Sequence, residues 1–267
     1  MNLRLFVQTL RWQRIRLLAV GLAAFGWGAL IPTIYVGFSD AFREMVDSGF
    51  LPEELLSFGS GNFFSVPGAL TLGLQHPLAI AFVGIFAIGA TVGAVAGERE
   101  RGRLEVLLAR PISRRELYST LMTAAVLLVG LIVAALLVGQ IAGLALQGLI
   151  DEVQLGWMPL VFLNGLLLWS AFAAFGMAAS VSFDRHQPAL GVTMAFVLLN
   201  YFLEILGSLW RDVQWSQNYS LFHYFQPGEI LAGKADPYDF ALLGLAIAIP
   251  VIYALAVFPR RDLAAPS

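Results

Sequence analysis

Six long apolar runs decide what this chain can become. They cover residues 17–37, 76–96, 119–147, 159–181, 188–207 and 239–258, and each is near or above the roughly 20 residues with which an α-helix crosses a hydrocarbon core. A lipid interior offers the backbone no water, so every N–H and C=O in such a run must be satisfied inside its own helix. The fold class that follows is all-α: a polytopic membrane protein with six transmembrane helices. Composition agrees, with 58% hydrophobic and 13% charged residues and a mean hydropathy of +0.76, far more apolar than a soluble domain. Residues 1–267 read as a single transmembrane domain.

The arginines orient it. With the N-terminus in the cytoplasm, 13 of the 16 Lys and Arg lie inside: Arg4, Arg11, Arg14, Arg16, the six from Arg99 to Arg115, Arg185, Arg260 and Arg261. Arg43, Arg211 and Lys234 lie outside. The positive-inside rule then predicts a multi-pass protein of the plasma membrane with both termini cytoplasmic. The net charge of −2 hides this asymmetry and gives no reason to expect nucleic acid. Cysteine is absent, so no disulfide or thiolate metal site is available. The basic start followed by an apolar run has the outline of a signal peptide, but the run lacks a clear small-residue cleavage site and reads as the first span.

Before that span, Leu3, Phe6, Leu10 and Leu17 recur at helical spacing while Arg4, Gln8, Arg11 and Arg14 take other faces. This pattern describes an amphipathic interfacial helix leading into the first span at an angle, or a basic flank that only anchors topology. Residues 38–75 are too long for a plain turn. Asp40, Glu44, Asp47, Glu53 and Glu54, mixed with Phe42, Phe50, Leu55 and Leu56, suggest short outer helices broken at Gly49 and Pro52.

Between the second and third runs stands Gly97-Glu98-Arg99-Glu100-Arg101-Gly102. Four ionised side chains would each cost about 2.5 to 3.5 kcal/mol at the bilayer centre, so this knot belongs in water at the membrane edge. Helical spacing pairs Glu98 with Arg101, Glu100 with Arg103 and Arg101 with Glu105, and gathers Leu104, Leu107 and Leu108 on one face. The reading is one short, stiff amphipathic helix over residues 98–108, ended by Arg110 and Pro111. Ser113 then caps the next helix, with Glu116 three positions on and Ile112 and Leu117 at the staple positions. That helix, Ser113 to Gln147, is about 50 Å long and projects beyond the bilayer.

The order Gly-Glu-Arg-Glu-Arg-Gly, then Leu-Glu, two leucines, Pro-Ile-Ser-Arg and Glu-Leu closely resembles the permeases of the ABC-type-2 export family. Arg103 stands where that pattern usually has threonine. The aromatic segment Phe222 to Pro227 before the last span, and Arg260-Arg261-Asp262 after it, look similar too. The resemblance implies a six-helix permease subunit of an ATP-binding-cassette exporter. It would pair with a second permease copy or a homologous permease in the lipid bilayer, above cytoplasmic ABC ATPase subunits that hold ATP and Mg. It makes the charged segment a coupling helix: Gly97, Glu98, Arg99, Glu100, Arg101, Gly102, Arg103, Leu104, Glu105 and Leu108 become the ATPase-coupling residues. The leucines would dock on the ATPase or pack on the N-terminal helix. Cargo would be hydrophobic or amphipathic, a drug or a lipid.

No ATPase is read in this chain. Gly228 to Lys234 matches the first seven positions of a phosphate loop, but Ala235 stands where a hydroxyl should hold magnesium and no strand precedes it. Gly89, Gly93 and Gly97, and Gly139 with Gly143, form small-residue ridges for helix packing within the subunit or across a dimer. Glu204 falls near the outer end of the fifth run, either as an intramembrane group on a substrate path or as an interfacial acid. Residues 182–188 are a short inner turn or a secondary contact. Trp210, Trp215, Tyr219, Tyr224 and Phe225 suit an aromatic belt, with a re-entrant outer gate as the alternative that the resemblance offers. An intramembrane enzyme is the rival class. Against it, the chain has no HExxH or GxSxG, and His76, His186 and His223 fall at edges and loops. A third class is a relative that uses ATP-driven motion to act on an outer protein without transport.

Overall fold

The computed structural model describes residues 1–48, 65–109 and 111–261. The expected outer helices around Gly49 to Leu56, the helix-ending Arg110 and the terminal Asp262 lie outside the described residues.

Six helices are long and apolar enough to cross a membrane: Leu3–Phe38, Pro77–Glu100, Arg114–Gln147, Leu155–Ser182, His186–Leu209 and Pro237–Val257. These are the six expected runs, here called the first to sixth spans, and no strand occurs among the described residues. The fourth span is the hub, with 67% of its most apolar stretch buried against 11% for the sixth. Phe172, Trp169 and Leu168 project from it into a core that also takes Phe86, Leu128, Phe222 and Phe225. The first, fifth and sixth spans keep broad apolar faces outward, including Leu18, Leu22, Leu198, Phe202 and Ile249.

The first helix runs unbroken from Leu3 to Asp47. The basic N-terminal stretch and the first span are therefore one helix rather than two joined at a break, because nothing between Arg14 and Leu18 interrupts helical backbone. It lies along the third span, and the glycines explain how closely. A Cβ at Gly143 would sit 2.5 Å from the Ala29 carbonyl oxygen, and one at Gly139 would collide with that of Phe25. This ridge packs helices within the subunit. The third helix starts as expected: Ser113 Oγ accepts the Glu116 N–H at 3.1 Å, and Gly148, at φ 69°, closes its other end.

Candidate functional site: the charged knot and the ends it joins

The second span does not reach the knot as plain α-helix. Gly93–Gly97 forms a π turn, which widens the helix and frees backbone groups from the regular ladder. Ser180 of the fourth span takes them over. Its Oγ accepts the N–H groups of Val95 and Ala96, each at 3.0 Å, and donates to the Val92 carbonyl at 2.7 Å. Ser180 is fully buried, so no water can replace it.

The helix then ends at Gly102. Arg103 N–H reaches the Glu98 carbonyl at 2.9 Å and Gly102 N–H reaches that of Arg99 at 2.8 Å, the paired bonds of a Schellman stop, with Gly102 at φ 67°. This corrects the expectation of one helix over 98–108. Glu98–Glu100 finishes the second span, and a separate five-residue helix covers Leu104–Leu108.

The break rearranges the charges. Glu98 accepts from Arg101 at 3.4 Å, as helical spacing predicts, and also from Arg103 at 2.6 Å. The expected pairs Glu100 with Arg103 and Arg101 with Glu105 are not the ones formed, since they presuppose continuous helix through Gly102. Glu100 instead accepts the His186 backbone N–H at 3.1 Å. His186 opens the fifth span, and the residue before it, Arg185, supplies no capping side chain. A carboxylate from the second span thus caps the fifth, where the helix dipole favours negative charge.

The turn between the fourth and fifth spans is the centre of a larger network, not only a connection. Asp184 receives Arg99 at 2.5 Å and also Arg261, which follows the sixth span. Arg261 donates in addition to the carbonyls of Val181 at 2.6 Å and Phe183 at 3.2 Å. Arg114, at the start of the third span, donates to the carbonyls of Phe258 at 3.2 Å and Arg261 at 2.5 Å. One polar network therefore joins the ends of the second to sixth spans.

The short helix is seated by its leucine face. Leu104 is buried with Leu5, Leu117 and Tyr118, and Leu108 packs against the same cluster. Leu104 and Leu108 therefore pack within the subunit, on Leu5 of the N-terminal helix among others. Outward stand Arg101, Arg103, Glu105 and Val106, the last 65% exposed.

The glycines Gly89 and Gly93 meet side chains rather than a helix backbone. A Cβ at Gly89 would lie 2.6 Å from Arg16 Nη2, and those at Gly93 and Gly97 would touch the His186 ring at 3.9 and 3.8 Å.

At the opposite end, buried amides organise the aromatic segment. Asn164 of the fourth span donates to the Tyr224 carbonyl at 2.9 Å and accepts the Gln226 N–H at 3.0 Å. Asn200 of the fifth accepts the Leu221 N–H at 2.8 Å. Both asparagines sit about 13 Å in from their span ends, so residues 221–226 fold back between the helices. Phe222, Tyr224 and Phe225 are buried, while Trp210, Trp215 and Tyr219 are exposed. The aromatics thus divide into a buried re-entrant group and an exposed group. Glu204 lies one turn nearer the end of the fifth span than Asn200, with Oε1 accepting from Gln217 at 2.9 Å. The adjoining cavity of about 40 Å³ has room for water rather than for cargo. The phosphate-loop look-alike begins as a short helix, Pro227–Leu231, whose Ile230 and Leu231 are buried, and ends in a turn at Gly233.

Arg16, Ser180, Asp184, Arg261, Asn164 and Asn200 carry no local sequence signal for the contacts they make. A model of the family described as ABC-2 family transporter protein matches residues 26–263. No curated protein and no solved structure matches the chain.

Proposed function

We propose that this chain, which belongs to the ABC-2 family of transporter proteins, is the permease subunit of an exporter driven by separate cytoplasmic ATPase subunits. The observation that supports this reading best is the polar network that ties the charged knot to the ends of five spans. A motor outside the membrane can move helices only through a rigid element that it grips. Leu104 anchors the short helix in the protein, and Arg101, Arg103, Glu105 and Val106 are left outward for a partner.

Force applied there passes through Glu98 and Arg99 into the second span, through Glu100 into the fifth, and through Asp184 and Arg261 into the fourth and sixth. In this reading the division of roles is specific. Glu98, Arg99 and Glu100 transmit within the permease, while the outer face of 101–106 binds the ATPase. ATP and Mg reside on that partner. The exposed apolar faces of the first, fifth and sixth spans meet lipid and a second permease copy or homologous permease, and the cargo is a hydrophobic or amphipathic molecule. In this reading the protein lies in the plasma membrane with both termini in the cytoplasm, the orientation that the arginine distribution favours.

The test is a mild-detergent pull-down of the tagged chain from its native membrane, with the eluate assayed for ATPase activity. The proposal expects an ATPase subunit with the unaltered chain, and its loss when Glu105→Arg and Val106→Asp are combined. An ATPase-free eluate from the unaltered chain under several gentle conditions overturns it.

A further inference from the structure

The sequence groups Arg16 with the cytoplasmic charges, but its guanidinium lies against Gly89 of the second span. Gly89 precedes Glu98 by nine residues, or roughly 13 Å of helix, so the charge sits at the depth of the apolar run, on a side chain that stays open to the outside of the subunit. Among the described residues it has no ion-pair or hydrogen-bond partner. A guanidinium at such depth is costly and marks a ligand pathway or a missing partner.

It lines a cleft of about 490 Å³ between the first, second and fifth spans. The first helix contributes Thr9, Gln13 and Arg16 from one face, and Arg101 closes the end toward the knot. His186 adds a ring whose buried Nδ1 has no partner. The cleft's carboxylate, Glu98, is already engaged by Arg101 and Arg103. Farther in, the walls turn apolar at Ile85, Leu190 and Met194, and both Ile85 and Met194 are exposed.

We propose that this cleft binds the phosphate headgroup of an anionic membrane amphiphile, with Arg16 and His186 on the phosphate and the acyl chain along Ile85 and Met194. The glycines at 89 and 93 leave the space that the headgroup and the Arg16 side chain occupy together. The inference does not depend on an ATPase partner.

Trp12 lines the same cleft and supplies a reporter. The purified chain in nanodiscs is titrated with phosphatidylglycerol or phosphatidylcholine carrying brominated chains, and quenching is read as the difference from a Trp12→Phe variant. Phosphatidylglycerol is expected to bind about tenfold more tightly than phosphatidylcholine, the size of one charge-assisted hydrogen bond. Arg16→Gln should remove most of that preference and Gly89→Val should reduce it by displacing the guanidinium, while Arg115→Gln, on a side chain that does not line the cleft, should leave it intact. Equal binding of the two lipids by the unaltered chain overturns the proposal without recourse to any variant. Inorganic phosphate competing as well as the lipid overturns the amphiphile assignment in favour of a free-anion site.

Discussion

Arg99 donates to Asp184 across 2.5 Å, joining the last turn of the second span to the turn between the fourth and fifth. The arginine side chain is only 10% exposed but the carboxylate is 57% exposed, so solvent still screens the pair and its contribution is modest. Asp184→Asn should lower stability by about 1 kcal/mol and cut transport per ATP hydrolysed severalfold, with Asp184→Glu restoring part of both. Thermal unfolding in detergent and paired transport and ATPase assays measure the two effects. Full coupling in Asp184→Asn would remove this link from the transmission path.

Ser180→Ala leaves the N–H groups of Val95 and Ala96 in a dry site without an acceptor. The loss should be about 2 to 3 kcal/mol, the range for stranding buried donors. Hydrogen exchange should localise it, with faster exchange at Val95 and Ala96 than at amides of the third span. Unchanged exchange at those two positions would mean that the π turn does not need the serine.

Asn164→Leu keeps much of the side-chain volume and removes both bonds to residues 224–226. The re-entrant segment should then loosen. Because the chain has no cysteine, Phe225→Cys is a unique label site, and Asn164→Leu should raise its rate of modification by a membrane-impermeant maleimide at least severalfold. Equal rates with and without Asn164 would show that packing alone holds the segment.

His76 caps the second span, its Nδ1 accepting the Leu78 N–H at 3.2 Å, and its ring lies 4.7 Å from that of Trp27. Partial desolvation of its ring holds its pKa below the ordinary 6.5. The folded chain therefore binds fewer protons here than the unfolded chain, so this contribution is complete above 6.5 and declines as pH falls from there through the lowered value. Thermal midpoints between pH 7.5 and 5 should fall less for His76→Asn, which keeps a capping acceptor but does not titrate. Parallel pH profiles for the two proteins would exclude the titration of His76.

Much of the architecture is legible in the chain because lipid imposes it. The six runs, the Ser113 cap and the length of the third helix follow from local periodicity and capping chemistry. The knot was only partly legible. Reading Arg101 and Glu105 as helical partners ignored Gly102, whose left-handed backbone ends the helix between them. Ser180, Asp184 and Arg261 act through contacts some 80 residues away along the chain, and no local pattern distinguishes them from ordinary small or interfacial residues. Arg16 was assigned by its place beside an apolar run, although a long side chain can reach either way from there.

The central claim is that the outward face of 101–106 is where an ATPase grips the permease. The most direct measurement places a single cysteine at Val106, attaches a photoreactive maleimide, and irradiates native membranes. An adduct between this chain and an ATPase subunit is expected, absent from the same label at the exposed Leu146 at the other end of the third span. Labelling of lipid alone from position 106, in membranes that contain the active transporter, would contradict it.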